Sequence, residues 1–392
     1  MFGRHKKLLT PPATTDSVSI ETELDTSPSL AAAMPKKRWT RVHQLLHDNH
    51  GVRYFVMALV VIIGTGVALW GYISLTREPE PTPQTITAKP KPKPAPKYYS
   101  PLTGLETEEV LTTRHITAIM IENSPEARPQ SGLKAAGIVY EAVAEGGITR
   151  FLALYQESRP SLIGPVRSVR PYYIQWASAY DPAIVHVGGS QQALTMVRSG
   201  SYAVDIDEFF NPKTLWRVKD RAAPHNVYTS FDALDPLVAQ KGKTASTFIG
   251  FSRIDGKKAE TPTASTVDIA VSTGKFAVRY TYDPTTNTYV RLQGGVNHVD
   301  RESGQITPSV VIAIKVNEST AYEGDGYREQ ITTTGTGAAY VFQNGTVVEG
   351  TWSRDGEKSP LRLLDASNKE IVLNRGQTWI TALANTKGVT WQ

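Results

Sequence analysis

Residues 138–156 read IVYEAVAEGGITRFLALYQ and hold two short apolar runs joined by a turn at Gly146-Gly147. The runs Ile138–Val143 and Phe151–Gln156 have the length of buried strands, and glycines between such runs indicate a reversal of the chain. Similar runs, bounded by Gly, Pro or Asn, lie at Ile116–Ile121 and Ala183–Val187. The stretch and its surroundings therefore predict a sheet of short, buried strands.

Helix-forming segments interrupt these strands. Ser168 is a candidate N-cap for a helix over Val169–Tyr180, because serine accepts a hydrogen bond from the free amides of a first turn. Two more helices are predicted at Ser190–Ser199 and Phe231–Gln240. Strands and helices alternate irregularly, which predicts a layered mixed α/β domain, sheets plus a helix layer, over residues 102–245.

The chain changes character after residues 241–266, a polar segment rich in Gly, Lys and Thr that we predict to connect two domains. Residues 266–392 hold many short strand-like runs separated by turn residues. Asn344-Gly345 between two of them favours a type I′ hairpin. A smaller, β-rich C-terminal domain is predicted here, and the fold class of the whole protein is α+β.

A membrane-spanning helix is predicted ahead of both domains. Residues 54–76 form an uncharged run of 23 residues, and a helix of that length covers about 34 Å, enough for a hydrocarbon core of about 30 Å. Aromatic residues at both ends suit the two membrane interfaces. A short tail before a single span usually stays inside, so we predict a single-pass protein of the cytoplasmic membrane, N-terminus inside and domains outside.

The flanks of this span are polar. Residues 1–53 are predicted to be a disordered cytoplasmic tail, and residues 77–101 a Pro/Lys-rich linker whose Lys-Pro alternation favours a semi-rigid polyproline spacer. Residues 1–97 carry a net charge of +6 and the remainder −1, although the whole chain carries +5. The folded part thus lacks the basic excess that nucleic acids require, and no nucleic-acid partner is expected.

Several chemical classes are excluded by composition and motif. The chain has no cysteine, so it has no thiolate nucleophile, no disulfide and no cysteine-held metal or lipid anchor. It also lacks the glycine-rich nucleotide loops and the His-Glu-x-x-His zinc motif. We therefore expect neither a cofactor nor a metal.

Arginines are concentrated on loops next to predicted strand ends of the first domain. Planar guanidinium groups bind phosphate or carboxylate through paired hydrogen bonds, which makes an anion-binding cleft one interpretation. The candidate ligand-binding residues are Arg128, Arg150, Arg167, Ser168, Arg170, Arg221 and Asn226. The alternative is that the arginines pair internally with nearby glutamates, and the sequence leaves both interpretations open.

Five residues are candidates for catalysis. Two of Glu122, Glu141 and Glu145 would suffice as an acid/base pair of the kind that cleaves glycosides. His186 follows a predicted strand and His225 lies in a proline-rich turn, and either is a candidate general base. The alternative is that each histidine is structural, with its ring nitrogens satisfied by neighbours.

Six sequence motifs carry a family resemblance. The runs IENSPEARPQSGL, YEAVAEGGITRFLALY, IGPVRSVRPYYI and APHNVYTS, with YDPTTNTYVRLQGGVNHVD and VLNRGQTWI later, closely resemble the YerB-type lipoprotein family. The resemblance covers nearly all of residues 98–392. It implies a mixed α/β domain, a smaller β-rich domain and a cell-envelope location, but it supplies no activity. Many relatives look like lipoproteins held by a lipidated cysteine, so here the apolar helix must serve as the anchor.

These observations lead to two hypotheses of function. The first is a non-catalytic, membrane-anchored envelope protein that binds an anionic or glycan ligand, or a protein partner, as a binding or scaffold module. The alternative is an enzyme, a hydrolase or phosphoryl-type transferase, that acts on an envelope polymer.

Overall fold

A computed structural model describes residues 50–78, 96–324 and 326–392. The predicted tail and most of the predicted linker lie outside the described residues. The chain divides into two compact units, residues 1–92 and 93–392. In the first, the described structure is the helix α1 (His50–Thr76), whose mean hydropathy of 2.2 makes it long and apolar enough to cross a membrane.

The second unit, called the body below, combines three α-helices with many strands. Its described helices are α2 (Pro171–Ser178), α3 (Gln191–Arg198) and α4 (Phe231–Gln240). The described strands, in chain order, are β1 (Tyr98–Tyr99), β2 (Glu106–Thr107), β3 (Ile116–Glu122), β4 (Ile138–Glu145), β5 (Ile148–Tyr155), β6 (Pro182–His186), β7 (Val204–Asp207), β8 (Trp216–Arg217), β9 (Val227–Tyr228), β10 (Arg253–Ile254), β11 (Thr266–Ile269), β12 (Val278–Asp283), β13 (Thr288–Gln293), β14 (Val296–Asn297), β15 (Val299–Asp300), β16 (Gly304–Gln305), β17 (Val310–Val316), β18 (Glu318–Tyr322), β19 (Tyr327–Ile331), β20 (Gly335–Gln343), β21 (Thr346–Arg354), β22 (Arg362–Asp365), β23 (Leu373–Asn374), β24 (Thr378–Ala384) and β25 (Val389–Trp391).

A ten-stranded sheet forms the centre of the body, in the order β22-β21-β20-β17-β24-β4-β5-β3-β6-β7. Strands β4 and β5 form the antiparallel hairpin predicted around Gly146-Gly147. Strand β24, near the C-terminus, pairs in parallel with β4, so both predicted domains contribute to one sheet. A second sheet, β14-β13-β12-β11-β25, lies on one side of it. The fold is α+β, as the sequence predicts.

Two apolar cores cover the faces of the central sheet. Helix α2 packs Tyr172, Tyr173 and Trp176 against one face, where the α3 residue Val197 joins the same core. Helix α4 and the five-stranded sheet pack against the other face. Because both faces are covered, the central strands are apolar on both sides, which explains their unbroken hydrophobic runs.

The helix predicted over Val169–Tyr180 is shorter than expected, and Ser168 is not its N-cap. Helix α2 begins at Pro171, and the preceding Arg170 is extended with φ −129° and ψ 157°. A residue before proline is driven out of the helical region by contact with the proline ring. The predicted helix at Phe231–Gln240 is confirmed, and so is the hairpin at Asn344-Gly345, which joins β20 to β21.

Candidate functional site

The candidate site lies where the parallel strands β3, β6 and β7 end. The chain segment 165–169 inserts between the ends of β3 and β6 and bonds to both. The Glu122 amide donates to the Pro165 carbonyl at 2.9 Å, and the Val187 amide donates to the Arg167 carbonyl at 3.2 Å. Carboxyl ends of parallel strands are where open α/β sheets place ligands, because the loops there diverge and leave room. We call Glu122, Ser124, Arg167 and His225 at this edge the rim site.

Glu122 is the centre of the rim site. Its Oε1 accepts hydrogen bonds from His225 Nδ1 at 2.9 Å and from Ser124 Oγ at 3.2 Å, and Arg167 Nε lies 3.5 Å away. Its Oε2 is buried and has no hydrogen-bond partner among the described residues. A buried carboxylate oxygen without a donor is costly, so the arrangement is completed only when a further donor arrives.

Arg167 and His225 face partly outward. The Arg167 side chain is 29 % exposed, and its guanidinium donates no hydrogen bond to any described residue. When His225 Nδ1 donates its hydrogen bond to Glu122, the other ring nitrogen, Nε2, is left as an acceptor in the neutral imidazole. The rim site therefore combines an arginine that is ion-paired with Glu122 but has unused hydrogen-bond donors with a histidine oriented by the same carboxylate.

The arginines Arg150 and Arg170 form a buried pair instead of an open cleft. Arg150 donates to the Ser168 carbonyl at 2.7 Å, and both guanidinium groups reach Ser168 Oγ at 3.3 Å. Arg170 also pairs with Glu145, whose side chain is half exposed. Burial first, and the nearby Arg170 second, lower the pKa of Arg150 to about 10. Arg170 therefore pairs internally with a glutamate, whereas Arg150 bonds to Ser168.

Glu141 is held far from solvent. Its Oε2 accepts from Arg291 at 2.6 Å and from Trp379 Nε1 at 3.2 Å, and its Oε1 accepts from Thr149 Oγ1 at 3.1 Å. The side chains of Glu141 and Arg291 are both 0 % exposed. A carboxylate with every oxygen occupied and no access to solvent has a structural geometry rather than a catalytic one.

His186 is likewise satisfied on both sides. Its Nε2 lies 2.8 Å from Asp205 and its Nδ1 lies 2.9 Å from the Gly188 carbonyl, in a fully buried position. The adjacent turn at Gly188 donates its amide to the Asp207 carboxylate at 3.1 Å. The amide of this turn is therefore already bonded to a carboxylate of the chain itself.

The remaining predicted ligand residues lie apart from one another. Arg128 donates to Asn123 Oδ1 at 3.2 Å and to the Lys275 carbonyl at 3.1 Å, across the two predicted domains. Arg221 donates to the Glu126 carbonyl at 3.0 Å, next to the rim site. Asn226 accepts from Arg217 at 3.0 Å, so it orients a neighbouring loop.

Sequence reasoning missed Ser124 and Arg291. Ser124 follows Glu122 by two residues, and its proximity to His225, 3.3 Å from Oγ to Nδ1, depends on a residue 101 positions away. Arg291 lies on β13, where the alternation YVRLQ favours Val290 and Leu292 as the inward residues. No group of three or more His, Asp or Glu side chains suited to a metal ion occurs in the described ranges.

The fold and the site define a class of protein. It has an α+β body in which two segments share one sheet, and an apolar helix precedes the body in the sequence. Within this class the chain belongs to the family described as "Protein of unknown function (DUF3048)". Its N-terminal domain model matches residues 102–245 and its C-terminal domain model matches residues 267–380.

Two comparisons with known proteins agree with this family. The chain is 36 % identical over 290 residues to "Putative lipoprotein YerB" of Bacillus subtilis (strain 168), covering 72 % of this chain and 86 % of that protein. A crystal structure of the YerB protein from Bacillus subtilis matches with a TM-score of 0.67 at 31 % identity, covering 75 % of this chain and all of that one. The resemblance predicted from the motifs is confirmed.

Proposed function

We propose that this protein is a single-pass membrane protein whose body lies outside the cytoplasm and binds an anionic envelope glycan at the rim site. An envelope location and membrane association are consistent with the lipoprotein relative and the apolar helix α1. The chain has no cysteine to carry a lipid, so α1 is the anchor in this proposal, with the N-terminus inside.

The observation that carries the proposal is the pair of unsatisfied groups at the rim site. Arg167 offers a guanidinium without hydrogen bonds to the described part of the chain, and Glu122 Oε2 beside it needs a donor. A ligand with an anionic group and a neighbouring hydroxyl satisfies both at once. Phosphorylated or carboxylated sugars have this chemistry, and charge-assisted hydrogen bonds are the strong ones.

An exposed aromatic side chain next to the rim site supports a glycan. Phe209 is 68 % exposed, and its ring covers Gly188, where an added Cβ would lie 3.2 Å from the ring. The Gly188 carbonyl accepts a hydrogen bond from the Val169 amide, and Val169 lies two residues after Arg167 in the chain. Aromatic rings at such edges provide rigid apolar faces, against which a sugar ring packs while its polar groups reach the arginine.

An enzyme acting on an envelope polymer is the second candidate, and one observation favours it. His225 has Nδ1 bound to Glu122 and Nε2 without a partner within the described segments, which is the arrangement of a carboxylate-oriented general base. A product released by the wild-type protein and not by His225→Gln would favour this candidate over binding alone.

The test is retention of the full-length chain, in detergent, by fractionated anionic envelope polymers. Loss of one charge-assisted hydrogen bond of about 1.5–3 kcal/mol weakens binding at least about tenfold, so we expect that loss for Arg167→Ala. Arg167→Lys keeps the charge but loses the planar fork and should weaken binding less. Arg279→Ala is the matched control, because Arg279 is exposed and pairs only with Asp268 in the second sheet.

Melting temperatures separate binding from folding. Glu122 keeps its bonds to His225 and Ser124 when Arg167 is removed but loses the 3.5 Å ion pair with Arg167, so we expect a modest loss of stability with the fold intact. Equal retention of wild type and Arg167→Ala, with both folded, would contradict the proposed site.

A further inference from the structure

A pocket lies between the two family segments. None of its lining residues belongs to the rim site, although Arg128 on its wall bonds to Asn123, the residue after Glu122. The pocket has a volume of about 220 Å³ and is bordered by Arg128 and Pro129 from the first segment. The hairpin of β13 and β14 supplies the other wall, with Gln293, Val296 and His298. A single water needs only about 15 Å³ of such volume, so the pocket admits a small organic group.

Gln293 brings an unused donor to this pocket. The side chain is 2 % exposed, and its Nε2 has no hydrogen-bond partner in the described part of the chain. Its Oε1 lies 3.5 Å from Arg291 Nη1, a donor, so rotating the amide by 180° would place two donors against each other. The free group is therefore the amide NH₂, which requires an acceptor.

Arg128 supplies a positive charge on the opposite wall. It forms no ion pair with any residue the structure describes, and it bonds only to Asn123 and the Lys275 carbonyl. Those contacts use three of the five guanidinium hydrogens, which leaves one on each terminal nitrogen. The nearby Glu141 makes no ion pair with Arg128, because its oxygens bond to Arg291, Trp379 and Thr149.

Besides Arg128, Gln293 and His298, the polar residue Asn297 also lines the pocket, and the remaining lining residues are apolar. Val296 is 67 % exposed at the mouth, and Pro129 and Val299 line the sides. The Phe276 ring packs against Arg128, with the guanidinium carbon 5.1 Å from the ring centre, and this contact orients the guanidinium group. A half-buried cation, an unsatisfied amide donor and small apolar walls together select an anionic acceptor on a short apolar stem.

We propose that this pocket binds a carboxylate carried on a small apolar residue, the chemistry of a peptide C-terminus or of a free small acid. The two sites are independent, because the pocket uses none of the rim-site residues. In the complex, the Arg128 fork and Gln293 Nε2 donate to the carboxylate oxygens, and the apolar stem packs between Val296 and Pro129.

The experiment titrates the full-length chain in detergent with N-acetyl-valyl-alanine, its C-terminal amide and acetate, and detects binding by calorimetry. We expect the free-acid peptide to bind with a dissociation constant of about 1 mM or below, as ligands of this size do. The amide should bind at least about tenfold more weakly, since it lacks the charge. Acetate binding as tightly as the peptide would assign the pocket to free small acids instead of peptide ends.

Two variants test the assigned residues. Gln293→Leu keeps the volume and removes an unsatisfied donor, so it should fold at least as well as wild type while binding the peptide about tenfold more weakly. Arg128→Gln should lose binding more strongly. Arg167→Ala should bind the peptide like wild type, which separates this site from the rim site. Equal binding of acid and amide, or unchanged binding by folded Gln293→Leu, would overturn the proposal.

Discussion

Six buried polar side chains form one closed ring of hydrogen bonds. Each of them would destabilise the fold if it were buried without a partner. Asn123 donates to Thr149, Thr149 to Glu141, Arg291 to Glu141 and to His298, His298 to Gln130, and Gln130 back to Asn123. Because each group satisfies its neighbours, the ring joins the two family segments without an orphaned charge. This role removes Glu141 from the catalytic candidates that we favour.

The ring makes stability depend on pH through His298. Burial first, and the neighbouring Arg291 second, hold the pKa of His298 well below its ordinary value of 6.5. The unfolded chain therefore takes up a proton near pH 6.5 while the folded chain does not, so stability falls as pH falls below about 6.5, by up to about 1.4 kcal/mol per pH unit from this group. Denaturant unfolding of the body between pH 7.5 and 5 should show this slope.

A variant isolates the contribution of His298 from that of other histidines. His298→Gln retains one donor and one acceptor but does not titrate in this range, so its stability should be lower at pH 7.5 and should depend less steeply on pH. Parallel pH profiles for wild type and variant would show that His298 is not the residue responsible.

A local sequence pattern does not reveal a polar residue that points inward. The alternation in β13 indicates Val290 and Leu292 as core residues, yet Tyr289, Arg291 and Gln293 are the buried set. A one-residue shift in register exchanges the two faces of a strand. The partners that make Arg291 acceptable inside, Glu141 and His298, are 150 and 7 positions away and cannot be read from a local pattern.

At the scale of elements, the hairpin of β20 and β21 shows what local chemistry determines. Asn344 and Gly345 have φ values of 60° and 77°, the left-handed pair that a two-residue turn of this type requires. This requirement is local, so the sequence predicts it correctly. The shortened helix α2 depends on a local effect too: Pro171 keeps Arg170 extended, so the helix begins at Pro171, and the N-cap assignment to Ser168, which placed Pro171 inside the first turn, is wrong.

Gly345 packs closely against a neighbouring aromatic ring, whereas Gly304, another glycine with positive φ, has open space around it. A Cβ at Gly345 would lie 2.6 Å from the Tyr282 ring, whereas a Cβ at Gly304, which has nearly the same φ of 76°, would meet nothing within 4 Å. Both alanine variants carry backbone strain of about 1–2 kcal/mol. Gly345→Ala should lose about 1–3 kcal/mol more through overpacking, measured by denaturant unfolding. Equal losses would mean that the Tyr282 contact is relieved by a small movement.

At the scale of the whole molecule, the shared sheet could not be predicted from sequence. Strand β24 pairs with β4 from Thr378 opposite Ile138 to Thr381 opposite Glu141. A local periodicity cannot reveal a pairing between two strands that lie so far apart in the sequence. The change in composition at 241–266 suggests two separate cores instead. Those boundaries stay predictions. The rim site was partly predictable, because loops at strand ends are the usual place for binding residues.

Photo-crosslinking in intact cells tests whether the rim site binds an anionic envelope polymer outside the cell membrane, as we propose. A photoreactive residue replaces Phe209, beside the rim site, and in a separate strain Val110, which is 70 % exposed and serves as the control. We predict an adduct with an anionic polymer from position 209, reduced at least about tenfold by Arg167→Ala and absent from position 110. Adducts only with cytoplasmic components, or equal polymer adducts from both positions, would contradict the account.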